Sequence, residues 1–352
     1  MQLFIKLEIG RGIKALSERV CTGAFVHLTP LRAIPHGNGA KRKEPSFLSC
    51  SLYSTPHPPR CGTMQPCPQG RQTSQEARLT DLYAFPPIYG ATKCRYGQMV
   101  YPARDEYVGR SLALYGEFSE GEAQVFRQLV REGDVAVEVG ANIGAHTVLL
   151  ARLAAGSGAV LAFEPQPVLY QTLCANMALN NITNVMAEKC GLGNRSQTLH
   201  IPVLDYGAKH NFGGLSLELA DEGEPVLVKR LDSYGLGKCA FIKIDVEGME
   251  QQVLEGAANT IHSHRPVMYV ENDRREKSPD LIQLLLAMDY ALWWHITPLY
   301  NPNNFAGNKN NVFGGTVSIN MLCAPKEKAG DEITRLASGM TEVAGPDDWW
   351  RR

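Results

Sequence analysis

The chain has 352 residues, 44% of them hydrophobic, enough for one large domain or two smaller ones around a buried core. Charge is nearly balanced at −1, yet residues 1–81 carry eleven Lys or Arg against five acids and the remainder carries 24 against 31. A mildly acidic body argues against a surface that tracks nucleic-acid phosphates, and no apolar run approaches the roughly 20 residues that a membrane span needs.

Nine cysteines are scattered without a C-x-x-C pair or a Cys/His cluster at zinc spacing, which reads as free thiols in a reducing compartment. A soluble, cytoplasmic body is expected. Organelle import through the basic N-terminal segment is the alternative, although Glu8 and Glu18 spoil the acid-poor pattern of a transit peptide. Residues 1–92 lack sustained periodicity and are rich in Pro, Ser and Gly, so they are expected to form a largely disordered extension. Met64 is a plausible alternative start, which leaves open whether residues 1–63 belong to the expressed protein.

Order is expected from Tyr96. Residues 117–131 predict a helix, with Ser119 and Glu122 as a capping box and Val125, Phe126, Leu129 and Val130 on one face. It leads into DVAVEVGANIGAHT, residues 134–147. There a β-branched run ends in a glycine turn, and apolar residues then recur at helical spacing. Helices are predicted over 145–154, 168–180 and 249–262, and from Ser278, read as an N-cap before Pro279, to Met288. Strands are predicted at 159–163, 185–189, 199–204, 226–231, 241–246, 266–271, 292–295 and 316–322. The 199–204 and 226–231 pair flanks a polar, Gly-rich insertion with His210, Phe212, Gly213 and Gly214. Strands alternating with helices of this length give an α/β fold with a doubly wound, mostly parallel sheet.

Ligands of such sheets sit beyond the carboxyl ends of the strands, where glycines let the backbone come close. Gly140 and Gly144 fit that place. Asn142 occupies the middle position of what would otherwise be a dinucleotide fingerprint, so a hydride-transfer cofactor is disfavoured. Glu138 lies near the end of the same strand. Glu164 ends the next one, where a carboxylate can accept two hydroxyl hydrogen bonds from a ribose diol. A second constellation, Lys243-Ile-Asp245-Val-Glu247-Gly248-Met-Glu250, ends a later strand, with Asp245 and Glu247 spaced to point the same way. Lys243 is expected to pair with one of these acids, and Glu250 suits the first turn of the following helix.

The stretches EVGANIGAHT, FEPQP, and KIDVEGMEQQVLEGA followed by RPVMYVE resemble the FkbM-type methyltransferases, a family of class I S-adenosylmethionine-dependent enzymes, from about Gly116 to Leu322. The resemblance implies a seven-stranded Rossmann-like class I methyltransferase fold and O-methylation of a hydroxyl on a small molecule or glycan. It implies S-adenosyl-L-methionine bound near Glu138, Gly140, Asn142, Gly144 and Glu164. Glu138 stands where the family has Asp.

On that reading an acceptor hydroxyl must lose a proton. Asp245 and Glu247 are candidates for the base, with His146 and His295 as alternatives. Six asparagines within residues 301–311 suggest a loop that reads a polyol acceptor. Glu271, Asn272 and Asp273 could join Asp245 around a divalent ion, but surface acids at strand ends are common and no metal is expected.

The resulting partition is an extension over 1–92, a helical lead-in over 93–130, the methyltransferase domain over 131–325 and a C-terminal tail over 326–352. Alternatives are a methyltransferase of protein or nucleic acid, although no nucleic-acid partner is expected, and a non-catalytic module of the same fold. Acceptor identity and oligomeric state stay open.

Overall fold

The structure is a computed structural model that describes residues 88–216 and 222–350. The expected extension therefore lies outside the described residues up to 87, as do Met64 and the basic segment. Chain order begins with a hairpin, β1 (Tyr89–Cys94) and β2 (Gly97–Pro102), then helices α1 (Val108–Tyr115) and α2 (Glu120–Leu129). The expected boundary at 93 thus falls inside β1, and the lead-in is a hairpin as well as helices.

A run of strands and helices follows: β3 (Val135–Val139), α3 (Thr147–Ala154), β4 (Ala159–Phe163), α4 (Pro167–Leu179) and β5 (Val185–Glu188). Three short strands come next, β6 (Gly191–Leu192), β7 (Gln197–Ile201) and β8 (Glu224–Lys229), and pair into a small sheet of their own. The chain then forms β9 (Phe241–Ile244), α5 (Glu250–Gly256), α6 (Ala258–His264), β10 (Val267–Glu271), α7 (Ser278–Ala287), β11 (Tyr290–Pro298), β12 (Val317–Pro325), α8 (Asp331–Leu336) and β13 (Thr341–Glu342).

The central sheet has the order β13-β11-β12-β10-β9-β3-β4-β5. β10, β9, β3, β4 and β5 run parallel, while β12, β11 and β13 add antiparallel pairs. This is a Rossmann-like α/β fold with a doubly wound, mostly parallel sheet, in which the two-residue β13 is an eighth, edge strand. The expected tail at 326–352 therefore supplies a helix and a sheet edge.

β3, β4 and β9 are nearly continuous apolar runs because helices cover both of their faces, the pattern of parallel strands buried on two sides. Val137, Val139, Phe163, Ile242, Ile244 and Met268 pack in the largest core cluster, while Phe126, Leu150, Val160 and Tyr269 form a second one. Cys239 packs in the first of these.

Local details depart from expectation in three places. Ser119 is the N-cap of α2, but its hydroxyl donates to the Glu122 carboxylate at 2.7 Å and no side-chain cap bond to the backbone forms. Ser278 is the first residue of α7, with Lys277 as N-cap, because its hydroxyl accepts from the buried Asn272 amide. The helix predicted over 249–262 is broken at Ala257 into α5 and α6. Among the described residues no helix is long and apolar enough to cross a membrane.

Candidate active site

The register places Glu138 of β3 between Ala162 of β4 and Lys243 of β9, so the carboxyl ends of the three strands lie side by side. The chain must leave β3 sharply there. Gly140 has φ +81°, and a Cβ on it would stand 1.8 Å from the Asp245 carbonyl oxygen. Its N–H and that of Ala141 both donate to the Phe163 carbonyl, which pins the turn against the end of β4. Asn142 follows with φ +51°, a left-handed conformation that Asn tolerates better than most residues.

A cleft opens over these strand ends. It is lined by Glu138, Gly140, Asn142, His146, Glu164, Asp245 and Glu247 among the expected site residues. Gly144 does not line it. A Cβ there would meet Leu173 at 2.6 Å, so this glycine serves the packing of the turn against α4. A more apolar recess adjoins, lined by Phe163, Leu192, Leu215, Val246 and Met249, with Gly140, Glu164 and Asp245 common to both.

Glu164 stands where the two cavities meet. One carboxylate oxygen accepts from the Asn142 N–H at 2.9 Å and the other from the Gln166 N–H at 2.8 Å. Each oxygen keeps one further lone-pair site. Burial lifts its pKa to about 7 against the pull of those two N–H donors. Gln166 holds the insertion in place: its side-chain amide donates to the carbonyl of fully buried Phe212. Asp105 accepts from the Phe212 N–H, so Asn211 and Gly213 are brought to the cleft. Gln166, Asn211 and Gly213 are site residues that sequence reasoning missed. Gln166 sits inside the FEPQP stretch, which was the available signal.

Glu138 is buried and accepts from the Thr147 hydroxyl at 2.6 Å. Burial raises its pKa to about 7 although Lys243 opposes the shift. Lys243 is buried too, and donates to Asp245 at 2.8 Å. Burial raises the Asp245 carboxyl, but Lys243 prevails and holds it below the usual range. Glu247 adopts φ +57° and is ion-paired with Arg274, which also binds Asp273. Burial and the neighbouring Asp245 still push the Glu247 pKa up to about 8. Glu250 is a cap, accepting from the Gly248 N–H.

Asp245, Glu247 and Glu271 bring one oxygen each within 4.8 Å of one another, a spacing that a divalent ion can bridge. Lys243 and Arg274 already neutralise two of the three. Glu271 is raised far above the carboxylate range by burial and then by the other two acids. Its hydrogen bond lowers the Asp245 pKa, so Glu271 is the donor and Asp245 the acceptor. The remaining oxygen, Oε2, is buried without a partner.

His146 precedes α3, its ring between Phe118 and Phe126 at centroid distances of 5.7 and 5.2 Å. Only 5% of the residue is exposed. Burial lowers its pKa, so the ring is neutral at pH 7. A hydrogen bond to the Phe118 backbone favours the charged form, which makes the ring the donor in that bond. Nε2 has no partner and therefore carries a lone pair at the cleft wall. His295 is placed elsewhere: its Nδ1 shares a hydrogen bond with the Tyr269 hydroxyl at 2.7 Å, and it does not line the cleft.

The asparagine-rich loop does not present its amides to the cleft. Asn304 is buried, with its amide donating to the Asn301 and Asn308 carbonyls and its oxygen accepting from the Asn308 N–H. Asn308 and Asn311 likewise close turns, while Asn301 donates to Glu117. The physical reason is that a short amide satisfies nearby backbone more readily than a distant ligand.

Residues 138–292 match the model of the methyltransferase FkbM domain. Over those residues, less than half of the chain, the sequence is similar to that family. It is 31% identical over 146 residues to Methyltransferase 1 of Beauveria bassiana, a match that covers 34% of this chain and 57% of that protein. It is 29% identical over 211 residues to the hexuronic acid methyltransferase AglP of Haloferax volcanii, covering 54% of this chain and 78% of that one. The chain thus spans less than two thirds of the length of Methyltransferase 1. Among solved structures, a methyltransferase FkbM from Methylobacillus flagellatus superposes with a TM-score of 0.37 at 18% identity, covering 58% of this chain and 50% of that one.

Proposed function

We propose that this protein transfers a methyl group from S-adenosyl-L-methionine to a hydroxyl of a small molecule or glycan. The observation that carries the reading is the junction at Glu164: a carboxylate fixed by two backbone N–H groups, between an apolar recess and a cleft with an unpartnered neutral histidine nitrogen. A recess of Phe163, Val246 and Met249 suits a purine face, and the free lone pairs of Glu164 suit the adjoining ribose diol. Gly140 lines both cavities and Asn142 the cleft, and Asp245, which Lys243 keeps ionised, places negative charge where the two adjoin. When bound, the cofactor supplies an electrophilic methyl group on a sulfonium.

The chain's residues then hold the acceptor in line and receive its proton. Alignment as an entropy term contributes about 7–11 kcal/mol in well-oriented reactions. Of the expected bases that line the cleft, Asp245 is paired with Lys243 and Glu247 with Arg274. His146 Nε2 is the one with no partner and no cation paired to it, so His146 takes the proton in this reading, with the Phe118 backbone fixing its tautomer. Asp245 and Glu247 serve the charge balance around it.

Calorimetric titration of the full chain with adenosylmethionine tests the cofactor assignment. Wild type is expected to bind at micromolar affinity, and Glu164→Ala to bind at least about tenfold more weakly, a loss of about 1.4 kcal/mol. Absence of binding to folded wild type overturns the reading.

A further inference from the structure

The cleft wall is unbalanced in hydrogen-bond character, and that imbalance bears on the acceptor, given methyl transfer at this site. Six acidic side chains line the cleft, Glu122, Glu138, Glu164, Asp245, Glu247 and Glu271, against one ammonium, Lys243, which is already paired with Asp245. Side chains that could donate to a ligand are largely engaged. The Ser318 hydroxyl donates to Glu122, the Asn320 amide binds Ser318 and Glu122, and the Thr316 hydroxyl donates to the Phe313 carbonyl. The free amides of the lining, those of Asn142 and Asn211, lie against the Gly213–Gly214 backbone at the cofactor end.

Acceptors, by contrast, remain vacant. His146 Nε2 is unpartnered in a residue more than nine-tenths buried, and Glu271 Oε2 is a buried oxygen without a donor. A buried acceptor left without a donor costs about 1–3 kcal/mol, so each is matched only by a ligand that brings O–H or N–H groups. Glu122 adds a buried carboxylate on the same wall, surrounded by Ser119, Ser318 and Asn320.

We infer that the acceptor is a donor-rich alcohol without negative charge, a neutral polyol or amino alcohol, and that a carboxylate-bearing sugar is refused. A uronate would bring a negative charge beside the ionised Asp245, and two bare acceptors to a wall whose unpartnered groups, His146 Nε2 and Glu271 Oε2, are themselves acceptors. The similarity to a hexuronic acid methyltransferase therefore does not extend to the acceptor's charge.

The test is ligand-detected NMR on the full chain loaded with S-adenosylhomocysteine, titrated with three probes of one shape: methyl glucoside, glucosamine and glucuronate. The glucoside and glucosamine are expected to bind at least about tenfold more tightly than glucuronate. Glu122→Gln is expected to narrow that gap by relieving the charge, with Ser318→Ala as the control that keeps it. Glucuronate binding as well as the other two overturns the inference, as does failure of both the glucoside and glucosamine to bind. Calorimetry with adenosylmethionine on the unloaded chain separates the two readings. Lost cofactor binding defeats the methyl-transfer assignment, whereas a uronate preference with cofactor bound defeats the acceptor class alone.

Discussion

Replacing Gly140 with Ala tests whether the turn after β3 is dictated by the sheet as well as by the ligand. The new Cβ would lie 1.8 Å from the Asp245 carbonyl oxygen, about 1.5 Å short of the shortest ordinary carbon–oxygen contact. That oxygen is backbone at the end of β9, so no side chain can swing away. The strand ends must part, straining the bonds from Asp245 N–H to the Val139 carbonyl and from Gly140 N–H to the Phe163 carbonyl, each worth about 1 kcal/mol net. The left-handed φ of +81° adds about 1–2 kcal/mol for a residue with a Cβ.

The total destabilisation is about 3–4 kcal/mol, which lowers the thermal midpoint by on the order of 10 °C in a domain of this size. Gly307→Ala is the internal control. It has φ +68° with nothing within 4 Å, so it carries the conformational cost alone, about 1–2 kcal/mol. Both variants are measured by thermal and denaturant unfolding. A Gly140→Ala midpoint within about 2 °C of the Gly307→Ala midpoint would refute the steric argument.

Three further outcomes follow from the same geometry. His146→Gln is expected to lower kcat by about 100-fold or more while leaving adenosylmethionine affinity within about twofold, by single-turnover kinetics and calorimetry. Because burial depresses the His146 pKa, wild-type kcat should be level above about pH 6.5 and fall as pH drops below the depressed value. Glu138 and Glu164 have folded pKa values of about 7, above their ordinary 4.5. The folded state therefore binds more protons than the unfolded one between those values. Stability should fall as pH rises from about 4.5 to 7 and then level off, and Glu164→Gln should flatten the slope in urea unfolding. Asn304→Ala removes three bonds to loop backbone and should cost about 1–3 kcal/mol in chemical denaturation, with acceptor preference unchanged.

Most of the sheet was legible because its strands are buried on two faces. A run such as Ala159–Phe163 between Gly158 and Pro165 has few readings other than a central parallel strand, and β4 has those bounds. What stayed hidden depends on partners far away in sequence. β1 and β2 pair only with each other in a sheet, and their alternation is weak because β1 is largely exposed. β13 is two residues held against Trp293 and Trp294, too short for any periodicity. Residues 249–264 carry one helical pattern, but the chain breaks at Ala257 into α5 and α6, and Gly256 there packs so closely on the residue after β6 that a Cβ would stand 1.9 Å from the Gly193 carbonyl oxygen.

The site divides along the same line. Gly140, Asn142, Glu164 and Asp245 were readable because each ends a strand, and strand ends of a parallel sheet converge by topology. Glu122 was read as half of a capping box, and that reading concealed its place on the cleft wall. Only the folded chain brings Ser318 and Asn320, nearly 200 residues later, to the same carboxylate. The choice among bases was hidden for a related reason. Asp245, Glu247 and His146 are equivalent on paper until Lys243 and Arg274 are seen to occupy two of them. Lys243 holds the Asp245 pKa below the carboxylate range, while burial between Phe118 and Phe126 leaves His146 neutral with Nε2 unpartnered. The role of each group is set by its neighbours, and for Glu247 and His146 those neighbours, Arg274, Phe118 and Phe126, come from elsewhere in the sequence.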